Sequence, residues 1–465
     1  MKSIQVGVIC LFLFLCSVEG NLHECGEFNQ WGDLSHVTIE KQSESLLFQS
    51  LLSDFITAIN TRPPNGVYDF MGNIMKGATA TKMSFSSDKL IKFVPDRIKS
   101  EGYPAEVHTV VTDDEYILQL HRIPYGKISP KSNKPRPPVY LMHAFMESSN
   151  GWIVLGPENS LAYLLADEGY DVWLGNARGT EPSRRHLKLN PNGWRQKEYW
   201  SFSWHEIGVF DLPASIDYIL NETKFEKLNY IGWSQGSTSF FVMASMRPEY
   251  NDKIIEANLL APVAALKGTR NPFYNSFANS YSAINKLQML RMYKIILNND
   301  ALLKIAETVC KDVVDSTPAK CKLILTALNS NQVNCTSLPS ILVGTPSGAS
   351  LKQGLHYLQL IRNGGFRQFD YESKKINQEV YGRDTPPEYD LARVTAPINL
   401  FHSIDDDTAV HENVIQLQSK LPNVKSRHVI QVRDFGHVDF AYSRYARVGL
   451  NDKLISTINE ANRNN

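Results

Sequence analysis

The chain has 465 residues, with 48 basic and 48 acidic side chains, so its formal net charge is zero. This balance gives no reason to expect a nucleic acid or another strongly charged partner. Hydrophobic residues make up 43% of the chain, and it contains no internal repeat or low-complexity tract, which excludes a disordered or fibrous protein and indicates a globular one.

The N-terminal segment has the pattern of a secretory signal peptide. An apolar run over residues 6–16 follows Lys2, and Val18 and Gly20 occupy the positions where signal peptidase prefers small residues. The run is shorter than the roughly 20 apolar residues needed to span a bilayer, and no later segment reaches that length. We therefore predict a signal peptide over residues 1–20, no transmembrane segment, and a lumenal or extracellular mature protein.

Entry into the secretory pathway would expose the chain to oxidation and glycosylation. Removal of the signal peptide leaves four cysteines: Cys25, Cys310, Cys321 and Cys335. Four cysteines allow three pairings, of which Cys310 with Cys321 is the first choice because these two are close in sequence. The pairing of Cys25 and Cys335 stays open. Asn221 and Asn334 each begin an Asn-X-Thr tripeptide and are predicted glycosylation sites.

Residues 21–95 form an N-terminal extension for which the sequence suggests no role. They contain an amphipathic helical pattern over residues 45–59 and a turn at residues 63–66, but little that suggests chemistry.

Strand-like runs dominate from about residue 100 onward. Residues 106–112 and 116–123 predict a β-hairpin. Further short apolar runs, most of them separated by helical patterns, cover residues 139–142, 172–174, 228–233, 256–260, 398–402 and 429–432. Strands that alternate with helices predict an α/β fold, in which a mainly parallel sheet is covered by helices on both faces.

The alternation breaks over residues 263–385, where helical segments and three of the four mature cysteines replace short buried strands. We interpret this segment as an insertion between two parts of one core, residues 96–262 and residues 386–465. Its position would place it over the carboxyl edge of the sheet, where α/β proteins bind their ligands. A largely helical cap or lid is therefore expected, although a rigid domain with no part in access would show the same pattern.

The sequence Gly232-Trp233-Ser234-Gln235-Gly236 joins a predicted strand to a predicted helix over residues 237–246. A serine hydroxyl can act as a nucleophile when a sharp turn holds it out, and glycines two residues before and after it relieve the crowding at that turn. We therefore predict Ser234 as the nucleophile, with Gly232 and Gly236 completing a nucleophile elbow. The pentapeptide alone also arises by chance, so its context carries the prediction.

A reactive serine needs an orienting carboxylate, which follows the serine and precedes the histidine in an α/β-hydrolase sheet. Three acids, Asp405, Asp406 and Asp407, follow the predicted strand over residues 398–402. We prefer Asp406, but Asp405 or Asp407 could serve instead, and an acidic run is also typical of a solvated turn.

The general base is predicted to be His437. It lies in a Gly-His turn after a predicted strand and before the final helix, 31 positions beyond Asp406. Of the other histidines, His428 lies inside an apolar strand pattern and is expected to be structural, whereas His402 could be a neighbour of the site.

Two backbone N–H groups should stabilise the oxyanion of a tetrahedral intermediate. One comes from the residue after the nucleophile, Gln235, and the other from the loop over residues 143–146, where Phe145 is the candidate. The apolar side chains of this loop would offer a dry wall to an acyl chain, unless Phe145 and Met146 are only core residues after a strand.

Taken together, these segments resemble the acid lipase family of α/β-hydrolases, the group of gastric and lysosomal acid lipases. The resemblance runs from about residue 96 to the C-terminus. Its motifs are Gly102-Tyr103-Pro104, Tyr116-Ile117-Leu118, Asn176-Ala177-Arg178-Gly179, Ser183-Arg184-Arg185-His186, Phe202-Ser203-Trp204, Asp211-Leu212-Pro213-Ala214, the serine pentapeptide and Gly436-His437-Val438-Asp439-Phe440.

The resemblance implies a secreted or lysosomal serine lipase that hydrolyses triacylglycerols or cholesteryl esters at a lipid–water interface, often at acid pH. It implies Ser234, Asp406 and His437 as the triad, Phe145 and Gln235 as oxyanion donors, and a cap disulfide similar to Cys310 with Cys321. No metal or cofactor is needed for this chemistry, and the oligomeric state is not predicted.

Three features depart from the family pattern. Ala144 replaces the glycine that usually follows the oxyanion-loop histidine, so its methyl group is expected to crowd the hole. Residues 403–405 replace a Gly-rich turn before the aspartate, and the extension over residues 21–95 exceeds the usual N-terminus. Ala144 and the added N-terminal segment motivate one alternative to a lipase, a lipid-binding or storage protein of impaired activity. A soluble esterase for short acyl chains is a second alternative, which the sequence separates from a lipase only through the cap.

Overall fold

The computed structural model describes residues 87–131, 134–295, 330 and 332–463. The predicted signal peptide and the helical pattern over residues 45–59 lie outside the described residues. So do Cys25, Cys310 and Cys321.

The described residues form eleven strands. They are β1 Glu106–Val111, β2 Tyr116–Ile123, β3 Pro138–Met142, β4 Asp171–Leu174, β5 Arg185–His186, β6 Leu228–Trp233, β7 Ile254–Leu260, β8 Lys294–Ile295, β9 Ala349–Ser350, β10 Ile398–His402 and β11 Val424–Val429.

Nine of these strands form the central sheet, in the order β1-β2-β4-β3-β6-β7-β10-β11, with β5 paired to β2. The six strands from β4 to β11 pair in parallel, whereas β1, β2 and β5 join by antiparallel pairs. This arrangement confirms the predicted α/β-hydrolase fold with a mainly parallel sheet. Because parallel strands point the same way, the carboxyl ends of β3, β6, β10 and β11 meet at one edge.

Helices cover the sheet. The α-helices are α1 Ser87–Ser100, α2 Leu161–Glu168, α3 Gln196–Tyr199, α4 Trp204–Glu206, α5 Leu212–Thr223, α6 Gln235–Met246, α7 Pro272–Asn279, α8 Tyr281–Lys286, α9 Leu338–Gly344, α10 Leu351–Asn363, α11 Lys374–Tyr381, α12 His411–Lys420, α13 Asp439–Tyr442 and α14 Asp452–Arg463, with π-helices at Ile207–Asp211 and Arg447–Asn451.

Burial follows the position of each strand in the sheet. Every residue of the central strands β3 and β6 is buried, as expected where helices cover both faces of a parallel sheet. The edge strand β11 is only partly buried and carries the polar sequence Val-Lys-Ser-Arg-His-Val.

The predicted strand over residues 429–432 is wrong in its position. The strand is Val424–Val429, which pairs in parallel with β10. The apolar residues that follow suggested a strand, but an edge strand needs no continuous apolar run because one of its sides has no neighbouring strand. The other predicted strands agree with the structure to within two residues.

The segment between β7 and β10 differs in structure from the core. Its described part contains α7 to α11 and only the two-residue strands β8 and β9, which pair with each other. Residues from α7, α8 and α10, together with Phe369 from the loop after α10, form a small apolar cluster separate from the main core: Ala278, Tyr281, Leu351, Leu355, Leu358 and Phe369.

Helix α1 runs across the boundary predicted between residues 95 and 96. Its residues Val94 and Ile98 are buried in the main core, so the end of the predicted extension packs with the hydrolase sheet.

Candidate active site

Ser234 lies at the sharp turn between β6 and α6. Its backbone has φ 51° and ψ −107°, a conformation that non-glycine residues rarely adopt. A Cβ on Gly236 would lie 2.2 Å from the backbone oxygen of Met142, and one on Gly232 would lie 2.7 Å from the carbonyl carbon of Gly236. Both positions therefore need glycine, because a methyl group would collide with neighbouring backbone.

The turn places the Ser234 hydroxyl against His437. Nε2 of His437 lies 2.8 Å from Oγ of Ser234, and Nδ1 of the same ring lies 2.8 Å from Oδ2 of Asp406. Ser234 is 8% exposed and Asp406 is fully buried, so water has little access to this chain of hydrogen bonds. The structure thus brings together three residues that the sequence places up to 203 positions apart.

The three adjacent acids have different partners. Asp406 contacts His437, whereas Oδ2 of Asp405 accepts a hydrogen bond of 2.7 Å from the backbone N–H of Asp434. The backbone carbonyl of Asp407 accepts hydrogen bonds from the segment that follows β7, and its side chain accepts one of 3.0 Å from Thr408. Only Asp406 has the geometry of an orienting carboxylate for the histidine.

The surroundings of His437 favour its protonated form. Burial alone would lower the pKa of the imidazole, but the negative charge of Asp406 and its hydrogen bond outweigh burial, and Asp407 adds to this effect. The pKa of His437 is therefore raised above its ordinary value. A base with this environment is suited to accept the proton of a neighbouring hydroxyl.

The predicted oxyanion donors follow two neighbouring strands of the sheet, β6 and β3. Gln235 is the first residue of α6, where a backbone N–H has no acceptor within the helix. Phe145 lies in the loop after β3, and its backbone N–H donates no hydrogen bond to another described residue. Among the described residues, neither N–H group has a backbone acceptor.

His143 has a role in this loop that sequence reasoning missed. The ring is buried, and burial lowers its pKa to about 4, so it is neutral. Nε2 accepts a hydrogen bond of 3.0 Å from the backbone N–H of Ala177, which leaves the proton on Nδ1 to donate to the carbonyl of Ala144 at 2.8 Å. The histidine therefore ties the oxyanion loop to the neighbouring loop after β4.

Asp439 supports the turn that carries His437, and sequence reasoning missed this role as well. Its Oδ2 accepts a hydrogen bond of 2.6 Å from the backbone N–H of Gly436, and its Oδ1 accepts one of 2.5 Å from Ser330. The motifs that contain His143 and Asp439 were visible in the sequence, but the hydrogen-bond partners lie far away along the chain.

Ala144, whose methyl group is predicted to crowd the hole, adopts an ordinary backbone conformation in this loop. It is absent from the described residues with positive φ, whereas Met146 in the same loop has φ 62°. Ala144 is buried at 5% exposure. Because its backbone lies in a region open to any residue, the position does not require glycine.

Two other histidines, His428 and His402, lie in the strands β11 and β10. His428 lies in β11, stacks on Phe401 and hydrogen-bonds to Ser426, which fits a structural role. His402 is buried at the end of β10 and lies 3.0 Å from Arg427, and it is close enough to Asp406 to sense its charge. Neither ring forms a hydrogen bond with the Ser234 hydroxyl.

The remaining predicted sites lie at the surface or outside the described residues. Asn221 at the end of α5 and Asn334 are both exposed, as an attached glycan requires. Cys335 is disulfide-bonded, and the other cysteines lie outside the described residues. Within the described part of the chain, no three His, Cys, Asp or Glu side chains are grouped so that they could hold a metal ion.

Two family models match the chain. The one described as "Partial alpha/beta-hydrolase lipase region" matches residues 94–156, and the one described as "alpha/beta hydrolase fold" matches residues 137–442. Lipase 1 of Drosophila melanogaster is 37% identical over 381 residues, which cover 81% of this chain and 80% of that protein.

The chain belongs to the α/β-hydrolase lipases.

Other relatives carry similar names. Lipase 3 of Drosophila melanogaster is 38% identical over 371 residues, 77% of this chain and 91% of that protein. Gastric triacylglycerol lipase of Rattus norvegicus is 32% identical over 424 residues, 89% of this chain and 99% of that protein. The family predicted from sequence is thereby confirmed, and an α/β-hydrolase lipase is a serine ester hydrolase. None of the described helices of this lipase is both long and apolar enough to cross a membrane.

Proposed function

We propose that this chain is a secreted or lysosomal lipase that hydrolyses neutral lipids, triacylglycerols first among them, through an acyl-enzyme on Ser234. The observation that carries the proposal is the pair of 2.8 Å contacts that join Ser234, His437 and Asp406. The name of the rat relative supports the substrate class.

The geometry supports a role for each residue. His437 Nε2 takes the proton of Ser234 as its oxygen attacks the ester carbonyl, and Asp406 holds the ring in the required tautomer. The N–H groups of Phe145 and Gln235 bind the oxyanion of the tetrahedral intermediate. The protonated His437 then donates to the leaving alcohol, and water hydrolyses the acyl-enzyme by the same steps.

A secretory destination is supported by the disulfide at Cys335, since disulfides persist in oxidising compartments. The exposed acceptors Asn221 and Asn334 fit the same route. The alternative of a lipid-binding protein without turnover is motivated by Ala144 and by the added N-terminal segment, and the contacts that join Ser234, His437 and Asp406 argue against it.

The test uses the secreted protein and its Ser234→Ala variant on emulsified triolein and on a water-soluble p-nitrophenyl butyrate. We expect the substitution to lower both rates by roughly 10³-fold or more, with the melting temperature unchanged. Ser245→Ala is the matched control, because Ser245 is a buried serine of α6, the helix that follows Ser234, and its hydroxyl donates to the carbonyl of Val242.

A fluorophosphonate probe gives an independent readout. It should label wild type and Ser245→Ala but not Ser234→Ala, because only an activated serine reacts well. Wild type that is neither labelled nor active would contradict the proposal in favour of a binding protein. Turnover of the soluble ester without turnover of triolein would instead indicate a short-chain esterase.

A further inference from the structure

Helix α10 of the inserted segment is held firmly to the hydrolase core. Ser350 caps the helix, and its hydroxyl donates to the carbonyl of Phe202. His356 stacks on Trp204 with ring centroids 3.7 Å apart, and Nδ1 of this histidine lies 3.1 Å from the hydroxyl of Ser203. Both His356 and Trp204 are fully buried. The first two turns of α10 therefore have a fixed position relative to the sheet.

From this position, α10 contacts the residue after the nucleophile. Gln353 Nε2 donates a hydrogen bond of 3.1 Å to Oε1 of Gln235, and both side chains are at least 98% buried. The orientation of the Gln353 amide is set by Ser350, whose backbone N–H lies 2.9 Å from Oε1. Because a backbone N–H can only donate, the Gln353 atom that faces it is the oxygen, and the NH₂ group must face Gln235.

One turn further along α10, Tyr357 contacts the other oxyanion residue. Its ring packs edge to face on Phe145, with centroids 5.6 Å apart. Its hydroxyl donates a hydrogen bond of 3.3 Å to Thr238, whose own backbone N–H bonds to the carbonyl of Ser234 at 3.0 Å. Gly354 lies between these contacts, where an added Cβ would lie 3.8 Å from the ring of Phe145.

We propose that Gln353 and Tyr357 are positioning residues, through which the inserted segment sets the geometry of the oxyanion hole. Helix α10 thus contacts both predicted donor residues: Gln353 hydrogen-bonds to the side chain of Gln235, and Tyr357 packs on the ring of Phe145. The inference rests on the proposed function, since it assigns a purpose to contacts around a hole that must bind an oxyanion.

The physical reason is that an oxyanion hole works by preorganisation. Phe145 lies on a loop, and a loop keeps its N–H groups aimed only while its side chains are held. Loss of one oxyanion donor costs roughly 10²–10³-fold in kcat in other hydrolases, so a donor that is misaligned but present should cost on the order of tenfold. Ground-state binding of the ester should change little, because the carbonyl oxygen gains its full charge only in the transition state.

The experiment replaces Gln353 by methionine, which keeps the volume but removes both amide hydrogen bonds. Gln359→Met is the matched control: Gln359 is a buried glutamine of the same helix, with bonds to Tyr281 and Asp370 but none to an oxyanion residue. On p-nitrophenyl butyrate we expect Gln353→Met to lower kcat about tenfold with KM within twofold. Both variants should lower the melting temperature by similar amounts, because each loses buried hydrogen bonds. Gln359→Met should leave kcat within twofold of wild type.

Tyr357 is tested by a pair of variants. Tyr357→Phe keeps the ring on Phe145 and should retain most of kcat, whereas Tyr357→Ala should lower it about tenfold. The rate of inactivation by a fluorophosphonate should fall in step with kcat, because that reaction also places a negative oxygen in the hole.

The outcomes separate the two proposals. Failure of wild type to turn over esters would contradict the proposed function itself. An active wild type with equal kcat for Gln353→Met and Gln359→Met would overturn the positioning role alone. The same conclusion would follow if Gln353→Met raised KM and left both kcat and the inactivation rate unchanged.

Discussion

The carboxylate of Asp406 divides its two oxygens between His437 and the backbone. Oδ2 lies 2.8 Å from Nδ1 of the histidine, while Oδ1 accepts hydrogen bonds of 2.8 and 2.9 Å from two successive backbone N–H groups, those of Thr408 and Ala409. The backbone hydrogen bonds fix the position of the carboxylate. Because a carboxylate oxygen only accepts, the neutral imidazole must carry its proton on Nδ1 in order to donate to it. Nε2 is thereby left as the acceptor that faces Ser234.

We therefore expect Asp406→Asn to lower kcat strongly, by roughly 10³–10⁴-fold, because the amide can present its NH₂ to Nδ1 and stabilise the wrong tautomer. Asp407→Asn is the control. Asp407 makes no hydrogen bond to His437, so this variant should lose less than tenfold in kcat. The measurement is kcat on p-nitrophenyl butyrate. Equal losses in the two variants would contradict the assignment of Asp406.

The raised pKa of His437 predicts the acid limb of the pH profile. The histidine must be neutral to act as a base, so kcat/KM should fall as the pH drops through its pKa, with a midpoint above the ordinary value of 6.5. Asp407→Asn should move this midpoint downward, because it removes a negative charge that favours the imidazolium. A midpoint below 6.5 in wild type would instead match the acid optimum that the family resemblance implied.

Glu147 predicts how stability depends on pH. The carboxyl is buried beside Thr345 and Tyr442, whose hydroxyls both lie 2.6 Å from Oε2, and burial raises its pKa to about 7 from 4.5. Between these values the folded chain keeps a proton that the unfolded chain releases, so the free energy of unfolding falls as pH rises through this window.

Glu147→Gln keeps an acceptor oxygen but cannot ionise. We compare the free energy of unfolding of the variant with that of wild type, by urea unfolding at pH 4.5 and at pH 7.5. The difference in favour of the variant should be larger at pH 7.5 by about 3 kcal/mol. Glu226→Gln, at an exposed position, should show no such dependence on pH. A gain for Glu147→Gln that is the same at both pH values would refute the assignment.

Arg178 predicts unequal costs for its two acidic partners. The guanidinium is fully buried, and it bonds to Asp211 at 2.7 Å and to Asp114 at 2.5 and 2.8 Å. The Asp211 side chain is 1% exposed and also accepts a bond from the backbone N–H of Arg178, whereas Asp114 is 27% exposed.

We expect Asp211→Asn to lower the free energy of unfolding by about 3 kcal/mol, because it leaves a buried cation with only one anionic partner. Asp114→Asn should cost about 1 kcal/mol, because water can replace part of the lost interaction. Urea unfolding of both variants at pH 7 gives the comparison, and a larger loss for Asp114→Asn would show that burial does not decide the cost.

Local sequence was enough to predict the elbow at Ser234 and most of the strands. The requirement for Gly232 is local, because a Cβ there would collide with the backbone of Gly236. The requirement for Gly236 comes from Met142 of the adjacent strand β3, so the pentapeptide predicted it only as part of a known motif. Buried parallel strands can also be predicted from sequence, because burial on both faces selects short continuous runs of apolar residues. The position of the edge strand β11 was predicted wrongly, because its residues are only partly buried and form no continuous apolar run.

Other features depended on contacts between residues that are far apart along the chain. Asp405, Asp406 and Asp407 are identical in type and adjacent, and only the direction in which the turn after β10 points each side chain selects Asp406 as the partner of His437. The parts played by His143 and by Gln353 depend in the same way on partners 34 and 118 positions away. A sequence pattern carries the chemistry of a side chain and its local backbone, whereas the packing of the whole chain decides which atoms come within hydrogen-bonding distance.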